Sequence, residues 1–414
     1  MQGMQDVPAP VANAAELAGT SGEVFAAFLR LGLTCFGGPI AHLGYFHEEF
    51  VVRRKWLDEK TYVDLVALSQ FLPGPASSKV GIAIGLSRAG YAGALAAWTG
   101  FTMPSATALV LFGYGVSALG NALGSGWLHG LKVAAVAVVA QAVLTMMRVL
   151  TPDAARATLA VAAAVLVLAV PSSLGQIAAI IAGGLIGLVA SRGVPPGDQV
   201  SLPHPVSRTA AVGAIIIFFA VLLGSPFVAA AVPSHALQLF VVFYRAGSLV
   251  FGGGHVVLPL LQAAVVPPGW LSNDAFLAGY GAAQAVPGPL FTFSAYLGTV
   301  MGPQPNGWEG ALVCLVSMFL PAFLLVIGPL PFWDGLRRRT WAQSALRGVN
   351  ASVVGLLLAA LYHPVWTSAI NRPGDFALGI VAFVLLFMWK TPPWLVVVIC
   401  AIGGAVISVF PFGA

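Results

Sequence analysis

The sequence predicts an all-helical, polytopic membrane protein with an inverted-topology internal repeat whose helices are broken or re-entrant at Phe-Gly-Gly and Pro-Gly-Pro motifs. Three observations carry that prediction. Of 414 residues, 58% are hydrophobic and 8% charged, against about 25% charged in an average soluble protein, and the mean hydropathy is +0.91. Long uncharged runs are cut by Gly and Pro, and the same cuts recur in the same order in the second half. The 19 basic and 14 acidic residues are too few to cover a water-facing surface of this size, so most of it faces lipid.

Taken in order, residues 1–22 form an N-terminal tail without Lys, Arg or an apolar core, so no cleavable signal peptide is expected. Residues 23–52 and 60–88 contain apolar runs of only about a dozen residues, cut at Phe36-Gly37-Gly38-Pro39 and Pro73-Gly74-Pro75. A spanning helix needs roughly 20 residues, so these segments read as re-entrant or discontinuous. Uncharged stretches then cover 89–131, 157–191, 209–244, 310–333, 348–371, 376–389 and 391–414. The turn signal at Pro171–Gly175 divides 157–191 into two short spans.

The repeat is legible residue by residue. Phe25, Phe28, Arg30, Gly32, Phe36, Gly37, Gly38 and Leu43 match Phe240, Phe243, Arg245, Gly247, Phe251, Gly252, Gly253 and Leu258 at an offset of 215. At an offset of 214, Trp56-Leu57, Gln70 and Pro73-Gly74-Pro75 match Trp270-Leu271, Gln284 and Pro287-Gly288-Pro289. Pro104 then pairs with Pro321, and Gly130 with Gly348. The expected organisation is a first repeat over 23–191, a cytoplasmic linker over 192–208, a connecting helix over 209–232 and a second, inverted repeat over 236–410. Charge supplies the orientation. Arg53, Arg54 and Lys55 separate the first two elements of unit one, where unit two has Pro267-Pro268-Gly269; Arg337, Arg338 and Arg339 separate the third and fourth elements of unit two, where unit one is uncharged. Placing both clusters in the cytoplasm inverts the units and makes each Pro-Gly-Pro element a hairpin. Arg372 is the one clear exception. Inverted repeats with discontinuous helices are the plan of secondary transporters.

The net charge of +5 is scattered between apolar runs, which excludes a nucleic-acid-binding stripe. Cys35, Cys314 and Cys400 lie in apolar stretches without paired spacing, so neither a disulfide framework nor a metal cluster is expected. No H-E-x-x-H, G-x-S-x-G or Walker motif is present, so the expectation is a protein that is not an enzyme and needs no cofactor.

These blocks resemble the chromate ion transporter family in its long, two-unit form. The resemblance rests on Phe36-Gly37-Gly38-Pro39 with His42, on Leu68 to Pro75, on Phe251-Gly252-Gly253-Gly254-His255 and on Gln284 to Pro289, and it covers residues 22 to 410. It implies a multi-pass carrier of the bacterial inner membrane that exports chromate, with sulfate as the similar oxyanion. It singles out Arg30, Gly37, Gly38, Pro73, Gly74 and Pro75. An oxyanion carrier of other preference and an anion channel of the same architecture stay open, as does the oligomeric state, a homodimer included.

The residues themselves point to anion chemistry. A helix broken within the membrane exposes unpaired N–H groups and about half a positive charge at the N-terminus of the following half-helix, and proline suits that first turn. Four such breaks would converge on one dianion, with hydroxyl donors from Ser77, Ser78 and Thr292. Arg30 and Arg245 each precede a break inside an apolar run, where a cation costs at least ~2.5 kcal/mol unless paired or solvated; they bind the oxyanion by a guanidinium fork or cap carbonyl ends. Lys79 and Lys132 are one-sided, since the repeat has Phe293 and Asn350 in their places. Asp64, Glu48, His42 and His255 are the candidates for proton coupling. Coupling is not required for export, because expelling a dianion from a negative interior gains about 4.6 kcal/mol per 100 mV, twice the single-charge value.

Overall fold

The computed structural model describes residues 19–119, 126–190, 205–251, 254–337 and 339–409, and the regular structure among them is helical. In chain order the helices are α1 (Ser21–Thr34), α2 (Gly38–His47), α3 (Glu59–Phe71), α4 (Ala76–Leu119), α5 (Gly126–Leu150), α6 (Ala154–Ala169), α7 (Ser173–Ala190), α8 (Arg208–Ala231) and α9 (His235–Leu249). They continue with α10 (Val257–Val265), α11 (Asn273–Ala283), α12 (Phe293–Val300), α13 (Gly307–Ile327), α14 (Trp333–Arg337), α15 (Thr340–Ala360), α16 (Thr367–Ala369), α17 (Pro373–Phe387) and α18 (Pro393–Val409). Among the described residues, five stretches are long and apolar enough to cross a membrane: Ala76–Val116, Gly126–Leu150, Arg208–Ala231, Gly307–Phe332 and Thr340–Ala369. Outward-facing Leu185, Val189, Ile216 and Phe227 give the helices an apolar exterior suited to lipid.

Matching sequence makes matching local structure. Thr20 caps α1 by accepting from the Glu23 amide, and Ser234 caps α9 through the Leu237 amide. Asp58 and Ser272 cap α3 and α11 in the same way, each satisfying an orphan donor of the first turn. The packed stripe of α1 is Val24, Ala27, Phe28, Leu31 and Gly32; its counterparts on α9 are Leu239, Phe243, Ala246 and Gly247. Gly32 permits the approach of α4, because a Cβ there would lie 2.6 Å from the Gly100 carbonyl oxygen. A Cβ at Gly247 would meet the Met318 carbonyl oxygen of α13 at 2.2 Å. Helices in lipid associate through such small-residue contacts because hydrophobicity provides no net drive there.

The two Pro-Gly-Pro hairpins open at opposite ends of the second part of α4. That helix kinks at Ala89 and Gly90, so its first part, from Ala76, pairs with α3, and its second part runs from Tyr91 to Val116. Both ends of the first hairpin meet at Trp56, whose ring is capped by the guanidinium groups of Arg54 at 5.2 Å and Arg88 at 5.0 Å. Glu23 and Glu49 bind the same cluster: Glu49 pairs with Arg53 and Arg54, both at 2.7 Å, and Glu23 pairs with Arg88 at 3.4 Å. Burial raises the Glu49 carboxyl, but Arg54 and Arg53 outweigh that and hold it below the ordinary carboxylate range. The second hairpin, α11 to α12, closes where the Gly302 amide donates to the Trp270 carbonyl at 3.0 Å. It closes near the far end of α4: Gly113 lies against Thr299 and Val300, and the Tyr114 hydroxyl accepts from the Trp308 amide at 2.9 Å. The 26 residues between Tyr91 and Val116 span about 39 Å at ~1.5 Å per residue.

The halves also exchange helices. α5 packs on α17 and α18, whereas its counterpart α15 packs on α6 and α7. Glycines make both contacts: a Cβ at Gly130 would sit 2.0 Å from the Cys400 carbonyl oxygen, and one at Gly348 would sit 1.9 Å from that of Gly183.

Candidate functional site

Each hairpin tip is hydrogen-bonded to the break of the other half. The Gly74 amide donates to the Val250 carbonyl at 2.6 Å, and the Gly288 amide donates to the Cys35 carbonyl at 2.8 Å. Val250 and Cys35 are the residues preceding the two Phe-Gly-Gly motifs, so the contacts are reciprocal. Gly74 and Gly288 adopt φ of +99° and +90°, the left-handed region that favours glycine. Their amides are thereby occupied. Gly74 and Gly288 tie the halves together through these amides.

Between the tips lies a buried polar cluster from the first unit. Lys79, in the first turn of α4, is 0% exposed. Its ammonium donates to the carbonyls of Leu72 and of Pro73, the latter at 2.9 Å, capping the negative carbonyl end of α3. Among the described residues no carboxylate pairs with it. His42 is buried and shares a hydrogen bond of 3.3 Å between Nδ1 and the Ser77 hydroxyl. The Cys35 carbonyl lies beside its ring, but no hydrogen bond of ordinary geometry reaches Nε2. The Ser78 and Thr102 hydroxyls are likewise buried without partners. The His42 ring stands edge-on to Phe101, 5.3 Å away between centroids, and the Phe101 carbonyl lies 3.0 Å from where a Cβ of Gly288 would be. His42 thus bridges both tips: Ser77 behind the first, Phe101 and Cys35 against the second.

The second unit fills the same place with aromatic rings. Phe293, at the position of Lys79, packs on Phe276, Tyr280 and Tyr296. His255 is hydrogen-bonded to the Tyr280 hydroxyl at 2.7 Å, the Thr292 hydroxyl donates to the Pro289 carbonyl at 2.8 Å, and Gln284 reaches the Tyr280 carbonyl at 3.5 Å. The expected symmetric convergence is chemically one-sided.

Other expected residues lie elsewhere. Arg30 is exposed, on the side of α1 away from its packed stripe, which overturns the expectation of a buried guanidinium. Arg245 is half-buried in a narrow crevice with Ile177, Leu260 and Ala264, so the two arginines do not join the cluster. Gln70 and Glu48 are exposed, Asp64 is half-buried on α3, and Phe36, Pro73, Pro287 and Gly254 line the breaks as backbone-shaping residues. Gly252 and Gly253 lie outside the described residues, and of Pro39 only the backbone within α2 is described. Sequence reasoning missed Phe101 and Thr102, which read as ordinary span residues; proximity to Pro104 was their only signal.

Comparison with known proteins agrees with the motif resemblance. The family model described as chromate transporter matches residues 22–188 and 237–405. A chromate transport protein of Pseudomonas aeruginosa is 30% identical over 401 residues, covering 94% of this chain and 92% of that protein. A probable chromate transport protein of Synechococcus elongatus is 27% identical over 390 residues, covering 92% and 93%. An uncharacterised transporter of Methanocaldococcus jannaschii is 25% identical over 343 residues, covering 81% and 82%. No solved structure matches the chain.

Proposed function

Because the chain belongs to the chromate transporter family, we propose that it is a secondary transporter of the bacterial inner membrane that exports chromate, holding the dianion beside Lys79, His42, Ser77 and Ser78. The observation that carries this reading is Lys79: a fully buried ammonium with carbonyl partners but no carboxylate among the described residues. A buried charge without a counter-ion is costly, and a tetrahedral dianion supplies the missing charge. The His42 Nε2 and Ser78 hydroxyl, buried without hydrogen-bond partners, add donors at the start of α4, where His42 meets Ser77, and that start adds its positive dipole end.

Two units of opposite orientation, over 23–191 and 236–410 and joined by the helix 209–232, account for the hairpins that open about 39 Å apart and for the exchanged helices. Alternating access then proceeds by rocking of the halves, with the Gly74–Val250 and Gly288–Cys35 hydrogen bonds coupling each hairpin tip to the opposite break. Arg53, Arg54 and Arg88 mark the cytoplasmic end. Export needs no coupling ion, since a dianion leaving a negative interior gains about 4.6 kcal/mol per 100 mV.

The test is chromate flux in proteoliposomes under an imposed potential, with sulfate as competitor. Wild-type protein is expected to carry chromate saturably, and Lys79→Gln to lower the flux at least tenfold with folded yield retained. Full flux in Lys79→Gln removes the site, and no wild-type chromate flux removes the transport reading.

A further inference from the structure

A cavity among the described residues lies remote from this cluster. It encloses about 520 Å3 and is lined by Val116 at the end of α4, His129 and Lys132 on α5, Asp274 on α11, and Arg372 and Asp375 at the start of α17. That volume lies in the ~300–1,000 Å3 range of small-ligand pockets. Its place in the pathway follows from two helices. Val116 is the far end of the 39 Å run from the Arg54, Arg88 and Trp56 cluster, so the cavity occupies the opposite face of the molecule. α11 begins at the cavity with Asn273 and ends at Ala283, just before the second Pro-Gly-Pro, which places the cavity about 16 Å from that tip.

Its charges are arranged to leave a cation free. The Asp375 carboxylate is buried and fully engaged: it accepts from the Asn371 and Arg372 amides at 3.1 and 3.0 Å and pairs with His129 at 2.9 Å. Lys132 is 10% exposed and pairs at 2.9 Å with Asp274, whose side chain is 72% exposed and turned to solvent. The Arg372 side chain is exposed and forms no ion pair among the described residues. α5 and α11 also begin at this cavity, and each directs about half a positive charge into it. Arg372 is the same residue that broke the charge rule in the sequence. It is a basic group retained on the non-cytoplasmic face beside a polar cavity.

We infer that this cavity is an anion vestibule: a second, weaker site where Arg372 and Lys132 hold a small tetrahedral oxyanion on its way between the membrane centre and the non-cytoplasmic solution. The planar guanidinium provides two parallel donors for two oxygens of such an ion, and the ammonium of Lys132 can turn from the solvated Asp274 to a third. The pathway role rests on the transport reading above; the binding of an oxyanion does not.

Two measurements separate them. In proteoliposomes, oxyanion uptake is followed from each face of the full-length protein. Arg372→Gln is expected to raise the half-saturating concentration about tenfold from the cavity face and no more than twofold from the cytoplasmic face, with Arg372→Lys intermediate. Equal shifts on both faces, or none, overturn the vestibule. Radiolabelled sulfate binding to the protein in nanodiscs is read independently of flux. The double variant Arg372→Gln with Lys132→Gln is expected to lose the weaker of two binding phases, and retention of both phases overturns the proposal even where transport stands. If wild-type protein carries no oxyanion yet loses that phase on substitution, the site stands and the transport reading falls. Nanodiscs with and without anionic lipid separate a lipid headgroup from a free ion: a weaker phase that vanishes in anionic lipid assigns the site to a headgroup and overturns a vestibule for solutes.

Discussion

Lys79 and Arg30 carry the same charge within apolar helices, yet the fold treats them oppositely. Lys79 follows Pro73-Gly74-Pro75 by one turn, so its side chain swings back onto the carbonyls that the break has freed. Arg30 interrupts no break, and the stripe at 24, 27, 28, 31 and 32 already claims the packed face of α1. Its neighbours therefore leave Arg30 facing outward, where its length lets the guanidinium reach polar surroundings. That exclusion was legible in the helical periodicity of the sequence, which contradicts the burial inferred from its apolar setting. The expected outcome is that Arg30→Gln keeps oxyanion flux within about twofold of wild type, whereas Lys79→Gln loses at least tenfold, measured on equal amounts of reconstituted protein. A tenfold loss in both returns Arg30 to the site.

At the scale of elements, glycine decides which helices meet. α5 and α18 touch through Gly130, and α15 and α7 through Gly348, with no space for a methyl group at either contact. Gly348→Val is therefore expected to remove several kcal/mol of stability, as overpacking and separation of α15 from α7 combine. Gly213→Ala is the control, because nothing lies within 4 Å of that position in α8. Monodisperse folded yield after detergent extraction reads the difference; equal yields would show that the α15–α7 contact does not hold the halves together. The breaks themselves were readable, because proline and paired glycine state where a helix stops, whatever surrounds it. The exchange of α5 and α15 between halves was not. Hydropathy identifies a lipid-compatible helix but expresses no preference for a partner, and the small residues that select one are spread through a chain containing 48 glycines. The same limit hid the cavity: His129, Asp274 and Asp375 are distant in sequence and become neighbours only when three helix starts converge.

For the whole molecule, the question is which way each half faces. Counting basic residues placed Arg53, Arg54 and Lys55 in the cytoplasm and left Arg372 as an anomaly; the helix geometry turns that anomaly into a landmark, because the cavity it lines stands about 39 Å from the Trp56 cluster, the length of the second part of α4. Lys55 and Gln304 then mark the two faces, one beside each hairpin mouth, and both are exposed. Cys35, Cys314 and Cys400 are buried, so a single cysteine introduced at either position is the reactive thiol for a membrane-impermeant reagent. In intact cells Gln304→Cys is expected to label at once and Lys55→Cys only after permeabilisation, with the pattern unchanged when the three native cysteines are replaced by serine. Labelling of both positions from one side would mean that the two hairpins open on the same face. That result would remove the inversion of the units, and with it the alternating-access scheme in which each hairpin tip, tied to the opposite break, faces a different solution.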